Sequence, residues 1–279
     1  MRHINMKEIE HYRRELLEAE KSKATVEKYI RDIRTFVQWM GNDQTVSKDL
    51  VIQYKQYLKE HYKVSSVNSM LVALNRFFQY LGWNECCVKG VKAQQQMFSP
   101  ESRELKQQEY EKLVETARRK KKEQLALIIE SITGTGIRIS ELAYITAEAV
   151  TQGKAEVSCK GKWRLIYLTK ELRKRLMKYC RQNNIKEGPV FCTRSGRPLD
   201  RSNIWSMMKK LSKAAGVNPD KVFPHNLRHL FARTYYKKHK DIFYLADILG
   251  HANVNTTRIY TRTAEENHIR MLEGLKLVI

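Results

Sequence analysis

The chain lacks most of what would tie a protein to a membrane, a metal or a disulfide framework. No apolar run reaches 18 residues. The N-terminus, Met1-Arg2-His3-Ile4-Asn5, is polar and leads straight into a helical pattern, so no signal peptide is expected. Only five cysteines occur: Cys86, Cys87, Cys159, Cys180 and Cys192. None forms a CxxC pair, the number is odd and two are adjacent. That argues against bridges or a zinc site and points to a reducing cytoplasm. Five prolines and 12 glycines exclude collagen-like or low-complexity character. There is no His-Glu-x-x-His, no EF-hand loop, no P-loop and no dense carboxylate cluster. Acidic residues are scarce too, 30 against 52 Lys and Arg, for a net charge of +22. Such an excess suits a polyanionic partner, nucleic acid first and an acidic membrane surface second.

With 279 residues the chain can hold two ordinary domains. Residues 1–95 carry 16 Lys and Arg against 11 Asp and Glu, residues 96–279 carry 36 against 19, so the downstream part dominates the field. The first 82 residues read as four helices. One covers 7–20. A second has Ser22 and Thr25 as possible N-caps, an apolar stripe through Ile30, Ile33, Phe36 and Met40, and Gly41 at its end. Ser47 opens a third, and Ser65 or Ser66 a fourth. Residues 93–104 are polar with one proline and read as an interdomain linker between domains at 1–92 and 105–279. A helix follows from Lys106 and another covers 123–131. Gly134-Thr135-Gly136 is expected as a turn and 139–145 as a short helix. Segments 155–158 and 164–168 flank Lys160-Gly161-Lys162 and are expected to form a β-hairpin. Val190-Phe191 could add a strand. Helices are then expected at 170–183, 202–215, 225–239, 241–249, 254–260 and 264–275. The fold class is mainly α with a small antiparallel β-sheet.

Five chemically loaded side chains stand out. His225, Arg228, His251 and Tyr260 lie in the C-terminal part, and Arg138 lies upstream in Gly134-Thr135-Gly136-Ile137-Arg138-Ile139-Ser140-Glu141-Leu142. Breaking a phosphodiester needs a nucleophile on phosphorus, fixed cations on the non-bridging oxygens and a proton for the leaving oxygen. Arginine suits the cation role, because its planar fork gives paired contacts and stays charged. Lysine or histidine can move the proton. A tyrosine nucleophile stores the bond energy as a phosphotyrosyl ester, so strands can be rejoined without ATP.

In order and spacing these pieces resemble the tyrosine recombinases and integrases. The matching segments are Gly134 to Leu142, the hairpin lysine in Cys159-Lys160-Gly161-Lys162, Pro224-His225-Asn226-Leu227-Arg228-His229, Leu249-Gly250-His251, and Tyr260 nine residues beyond His251. The likeness covers essentially the whole chain. It implies a four-helix, SAM-like core-binding domain at the N-terminus, followed by a catalytic domain. It implies that Arg138 and Arg228 bind the scissile phosphate, that Tyr260 is the nucleophile, and that Lys160 (or Lys162, the alternative in the same hairpin) is the acid to the 5′ oxygen. His225 would assist proton transfer and His251 would hydrogen-bond a phosphate oxygen. Glu141, three residues after Arg138 and so on the same helical face, would orient the site. No metal, cofactor or ATP is implied. The partners implied are double-stranded DNA with inverted half-sites and other copies of the chain, a dimer per site and a tetramer in the synapse. Asn68 and Arg76, on the fourth helix, are candidate DNA contacts.

Each residue also has an ordinary structural reading. A hairpin lysine is usually solvated, a histidine after Pro224 or Gly250 can cap a helix, and Tyr260 is one of 14 tyrosines. His229 reads as packing or a polar contact. The basic runs 118–122 and 237–240 are either solvated faces or sequence-blind phosphate contacts. The stripe Ile269, Leu272 and Leu275 either packs on its own domain or, as the resemblance implies, docks on a neighbouring protomer. Two rival functions remain at this stage, a type IB topoisomerase and a non-catalytic DNA-binding regulator. Integration, excision, inversion and dimer resolution, with or without a mobile element, cannot be told apart from sequence.

Overall fold

A computed structural model describes residues 2–41, 45–92, 104–159, 162–193, 195–251 and 253–260. The chain divides into two compact units, residues 1–95 and 96–279. The expected linker at 93–104 lies outside the described residues except for Glu104.

The first unit is four helices: α1 (Met6–Glu18), α2 (Lys23–Met40), α3 (Lys48–His61) and α4 (Val64–Tyr80). Polar residues set three of the starts. Asn5 and Glu8 form a reciprocal capping box on α1. Ser22 caps α2 and Ser47 caps α3. The fourth helix begins at Val64, just ahead of the expected serines and without a side-chain cap. The apolar stripes meet in one core in which Phe36, Tyr54, Phe77 and Phe78 are completely buried. Phe36 packs edge-on to Tyr54 and to Phe78, with ring centroids 4.9 and 5.9 Å away.

Two asparagines seven residues apart on α4 then pin the departing chain. Asn75 exchanges two hydrogen bonds with the backbone of Val88 (2.8 and 3.0 Å), and Asn68 does the same with Val91 (2.9 and 2.7 Å). Gly90 leaves the room this needs, since a Cβ there would come within 3.0 Å of the Asn68 carboxamide.

The second unit is built around α6 (Glu123–Thr135), whose residues Leu125 to Ile129 are all buried. Packed around it are α5 (Gln107–Arg119), α8 (Lys170–Gln182), α9 (Arg201–Ala214) and α10 (Pro224–His239). Gly134 and Thr135 belong to the last turn of α6 rather than to a separate turn. Gly136 ends the helix in the left-handed conformation, φ +66°. The expected helix at 139–145 is a 3₁₀ turn, Ile139–Tyr144, with Arg138 at its N-cap position. A short helix that periodicity did not reveal, α7 (Ala147–Gln152), is capped by Thr146 and stopped by Gly153.

The hairpin is present: β1 (Lys154–Cys159) pairs antiparallel with β2 (Lys162–Tyr167), with Val157 opposite Arg164 and Ala155 opposite Ile166. Ala155, Val157 and Ile166 face the core, while Trp163 and Tyr167 stand 70% and 69% exposed on the other side. Arg164 therefore lies on the buried parity of its strand.

Val190-Phe191 does not form a strand. Isolated bridges at Thr146–Pro189 and Cys192–Pro198 flank it. Proline has no N–H to continue a ladder at either bridge. After α11 (Ile242–Leu249), the expected helix at 254–260 is two 3₁₀ turns, Val254–Thr256 and Arg258–Tyr260. The helix expected at 264–275 lies outside the described residues. No helix among the described residues is long and apolar enough to cross a membrane.

Gly136 is the tightest point of this unit. A Cβ there would sit 2.6 Å from Phe231 and 3.0 Å from Leu249 in a left-handed backbone. Gly136→Ala is expected to lose about 2–4 kcal/mol in denaturant unfolding, combining strained φ with overpacking. Gly188→Ala, also at positive φ but facing open space, should lose only ~1 kcal/mol. Equal losses would refute the collision.

Candidate active site

The end of α11 organises the site. Three successive carbonyls there each accept from a different arginine. Ile248 accepts from Arg164 Nε at 3.1 Å, Leu249 from Arg228 Nη2 at 2.6 Å and Gly250 from Arg138 Nη2 at 3.2 Å. These carbonyls lie at the helix C-terminus, where the unpaired C=O groups concentrate negative potential and attract cations. Arg228, on α10, also donates to the Gly136 carbonyl at the C-terminus of α6, at 2.6 Å. Two helix ends thus hold a guanidinium that is only 2% exposed. Burial, with the neighbouring charge of Arg138 behind it, lowers its pKa to about 10, so it stays protonated at neutral pH.

Glu141 is the buried counter-charge. It is 1% exposed and both carboxylate oxygens are doubly used. Oε1 accepts from Arg138 Nη1 (2.9 Å) and Arg164 Nη1 (2.7 Å), and Oε2 accepts from the Arg138 backbone N–H (2.8 Å) and Arg164 Nη2 (2.7 Å). Burial alone would raise this carboxyl. The hydrogen bonds from Arg164 and Arg138 outweigh it, so the group sits below the ordinary carboxylate range and is ionised. The expectation placed Glu141 beside Arg138 through helical spacing. The observed contact arises from an N-cap geometry, with the carboxylate reaching back to the Arg138 N–H.

His251 follows Gly250 directly. Its Nε2 lies 3.1 Å from Arg228 Nη2, and its Nδ1 lies 2.8 Å from Thr257 Oγ1. A guanidinium can only donate, so Nε2 accepts and Nδ1 carries the proton toward Thr257. As placed, the imidazole has no N–H directed at the cleft, and donation to a phosphate oxygen needs the other tautomer, with the proton on Nε2 and Nδ1 accepting from the Thr257 hydroxyl. Burial and the charges of Arg228 and Arg138 lower its pKa to about 4.

Tyr260 is 5% exposed. Its ring packs edge-on to His229, centroids 5.0 Å apart, and parallel to His251 at 6.3 Å. Burial raises its phenol pKa. The charge and hydrogen bond of Arg228 pull the other way without overcoming it. His229 does pack: its ring lies 4.2 Å from His225, and its buried Nε2 has no hydrogen-bond partner among the described residues. Burial first, and the surrounding positive charges second, lower its pKa to about 3. His225 sits at the start of α10, after Pro224, and lines the cleft. The protein mass around it, then Arg228 and Arg138, hold its imidazole below the usual range.

Arg138, His225 and Arg228 open onto one cleft of about 800 Å³, whose other wall includes Ser202, Trp205 and Phe223. The structure thus brings together Arg138, Glu141, His225, Arg228, His251 and Tyr260. Lys160 lies outside the described residues, and only the backbone of Lys162, at the head of β2, is described. Among the described residues no group of three or more His, Cys, Asp or Glu could hold a metal.

Two expectations in the first unit fare differently. Asn68 has its carboxamide oxygen and nitrogen engaged by the backbone of Val91 and stands half-buried, so it clamps the departing chain. Arg76 is exposed, and no ion pair holds it among the described residues. In the basic run at 118–122, Arg118 is paired with Glu130 at 2.8 Å.

Sequence reading missed Arg164, Thr257 and the Trp205 wall. Arg164 had a signal, a charge on the core-facing parity of a strand beside Ile166. Thr257 is fully buried against His251 but carries no sequence mark.

Comparison with known proteins agrees with this arrangement. Residues 103–267 match the family described as "Phage integrase family", and residues 9–85 match "Phage integrase, N-terminal SAM-like domain". The tyrosine recombinase XerA of Pyrococcus furiosus is 29% identical over 266 residues, covering 92% of this chain and 90% of that protein. XerD of Vibrio cholerae is 28% identical over 263 residues, covering 87% and 86%. The fold is similar to that of lambda integrase residues 75–356, solved as a dimer bound to a core site, with a TM-score of 0.73 at 17% identity over 92% of this chain and 94% of that one.

The neutral imidazoles set a pH dependence. His229 and His251 titrate near 3 and 4 in the folded chain against 6.5 for an unperturbed histidine, so the unfolded chain binds their protons first. Their contribution is complete above about pH 6.5 and is lost as pH falls toward 4. Thermal melts from about pH 7.5 down to about 4.5 should show a falling midpoint, and His229→Gln should flatten the decline. An unchanged slope in that variant would exclude His229 as a source.

Proposed function

The chain belongs to the phage integrase family, and from that membership and the geometry of the cleft we propose how it works. It is a site-specific DNA recombinase of the tyrosine type. The observation that carries the mechanism is the convergence of Arg138, Arg228 and the buried Tyr260 on one end of α11. Arg138 and Arg228 take the two non-bridging oxygens of the scissile phosphate, with orientation already fixed by Glu141 and the helix-end carbonyls. The Tyr260 oxygen attacks phosphorus. A bond forms from tyrosine to phosphorus, the bond from phosphorus to the 5′ oxygen breaks, and the products are a 3′-phosphotyrosyl ester and a 5′-hydroxyl.

The raised phenol pKa means that Tyr260 needs help to lose its proton. His225, neutral at physiological pH and at the cleft wall, is the group suited to assist the transfer. Lys160 is the acid that protonates the leaving 5′ oxygen, with Lys162 as the alternative in the same hairpin. His251 reaches a phosphate oxygen once Arg228 turns to substrate and the imidazole adopts its other tautomer, with Nε2 protonated and Nδ1 accepting from the Thr257 hydroxyl. Because the ester conserves the bond energy, the 5′-hydroxyl of a second strand can reverse the step and complete exchange through a Holliday junction.

Double-stranded DNA with inverted half-sites is the substrate, bound by one dimer per site and joined as a tetramer. The net charge of +22 and the dimeric DNA complex of lambda integrase support this reading. Residues 1–92 act as the DNA-clamping domain, with Arg76 as a phosphate contact, 93–104 as linker and 105–279 as the catalytic domain. The free thiols of Cys86, Cys87, Cys180 and Cys192 suit a reducing cytoplasm.

A nicked suicide duplex, which loses the short fragment after cleavage, should trap the wild type covalently. Tyr260→Phe should give no adduct, and an adduct in that variant rejects the nucleophile assignment. Arg228→Ala should slow cleavage by about 10²–10³. Deleting residues 264–279 should abolish recombination and spare DNA binding, because this apolar stripe docks on a neighbouring protomer. Full recombination by the truncated chain would rule that docking out.

A further inference from the structure

Two guanidiniums, those of Arg138 and Arg164, share one carboxylate in this site, and they are not equivalent. Arg164 has Nε, Nη1 and Nη2 all bonded within the protein, and its side chain is 11% exposed. Arg138 keeps Nε unpaired among the described residues, is 29% exposed and lines the cleft. Arg164 does not line that cleft. Its aliphatic stem lies against Gly250, where a Cβ would come within 2.8 Å of Cδ and 3.1 Å of Nη1. The residue is thus wedged between Glu141 and the end of α11, behind the surface that substrate meets.

Charge explains why a second arginine belongs there. A lone Arg138–Glu141 pair would be neutral overall, and the carboxylate would compete with a phosphate for the Arg138 guanidinium. Arg164 binds both oxygens of Glu141 at 2.7 Å, shorter than the 2.9 Å from Arg138 Nη1. The paired fork is the stronger form of this contact. With Arg164 in place the trio carries a net positive charge, and that charge is displayed where the site is open, at Arg138.

We propose that Arg164 is a positioning residue for strand transfer: by neutralising Glu141 from behind and bracing the α11 terminus, it leaves Arg138 oriented yet electrostatically free to bind the scissile phosphate. This rests on the reading of Arg138 as a phosphate ligand. Glu141 alone orients Arg138; Glu141 together with Arg164 orients it without discharging it. The same wedge couples the hairpin strand to the carbonyls that hold Arg228 and precede His251.

The test compares single-turnover cleavage of an ordinary nicked site with the same site carrying a methylphosphonate at the scissile position. That linkage has lost one negative charge and needs less cationic stabilisation. Arg164→Gln should slow cleavage of the phosphodiester about 10²-fold, as a misplaced group does, and the deficit should shrink at least tenfold on the methylphosphonate. A variant that merely folded poorly would lose equally on both. Glu141→Gln/Arg164→Gln, which removes the uncompensated carboxylate, should regain activity over Arg164→Gln alone. Equal deficits on the two linkages, or a double variant no faster than the single, overturn the proposal. Arg138→Ala is run beside them. If its own deficit fails to shrink on the methylphosphonate, the phosphate-ligand reading fails instead, and the two failures are distinguishable.

Discussion

Burying like charges together is the constraint on which the rest of this site depends. Arg138, Arg164 and Arg228 all reach the end of α11, and the charge of Arg138 adds to burial in lowering the pKa of Arg228. A cluster of guanidiniums is stable only if their charge is met by well-placed acceptors. Here those are one carboxylate, Glu141, and the carbonyl ends of two helices. The glycines that permit this follow from it. Gly136 turns its carbonyl to Arg228 in a left-handed conformation where a side chain would strike Phe231, and Gly250 leaves the space in which the Arg164 stem lies.

The same positive field sets the protonation of everything around it. His225, His229 and His251 are all held neutral, with burial as the largest cause; the arginines come second for His225 and His251, while for His229 they follow His225. Neutral imidazoles can accept protons, which a charged one cannot. Tyr260 feels both influences in opposite senses, since burial favours the phenol and Arg228 favours the phenolate. The arginines and the neutral imidazoles are therefore coupled through one set of charges, and protonating the imidazoles in acid weakens the fold where they lie.

Much of the architecture was legible before any coordinates. The apolar stripes of the first four helices, Ser22 and Ser47 as caps, and Gly41 as a stop are local signals, and they appear where expected. So is the hairpin, although its strands are longer than expected and Lys160 at its turn lies outside the described residues. Local signals failed where tertiary partners decide. Val190-Phe191 has strand-like composition but is bounded by Pro189 and Pro198. The segment 139–144 tightens to 3₁₀ because the carboxylate of Glu141 caps Arg138. Asn68 is committed to Val91, a residue 23 positions away that no periodicity connects to it.

The sequence by itself determined the two-part helical plan, the excess of positive charge and the ordered set Arg138, His225, Arg228, His251 and Tyr260, because spacing and residue chemistry are written along the chain. Only the tertiary structure decided which groups meet. It placed Arg164 behind Glu141, turned three consecutive carbonyls toward three arginines, and gave His251 its partner in Thr257. Those choices depend on distances between segments remote in sequence, and a linear pattern does not carry them.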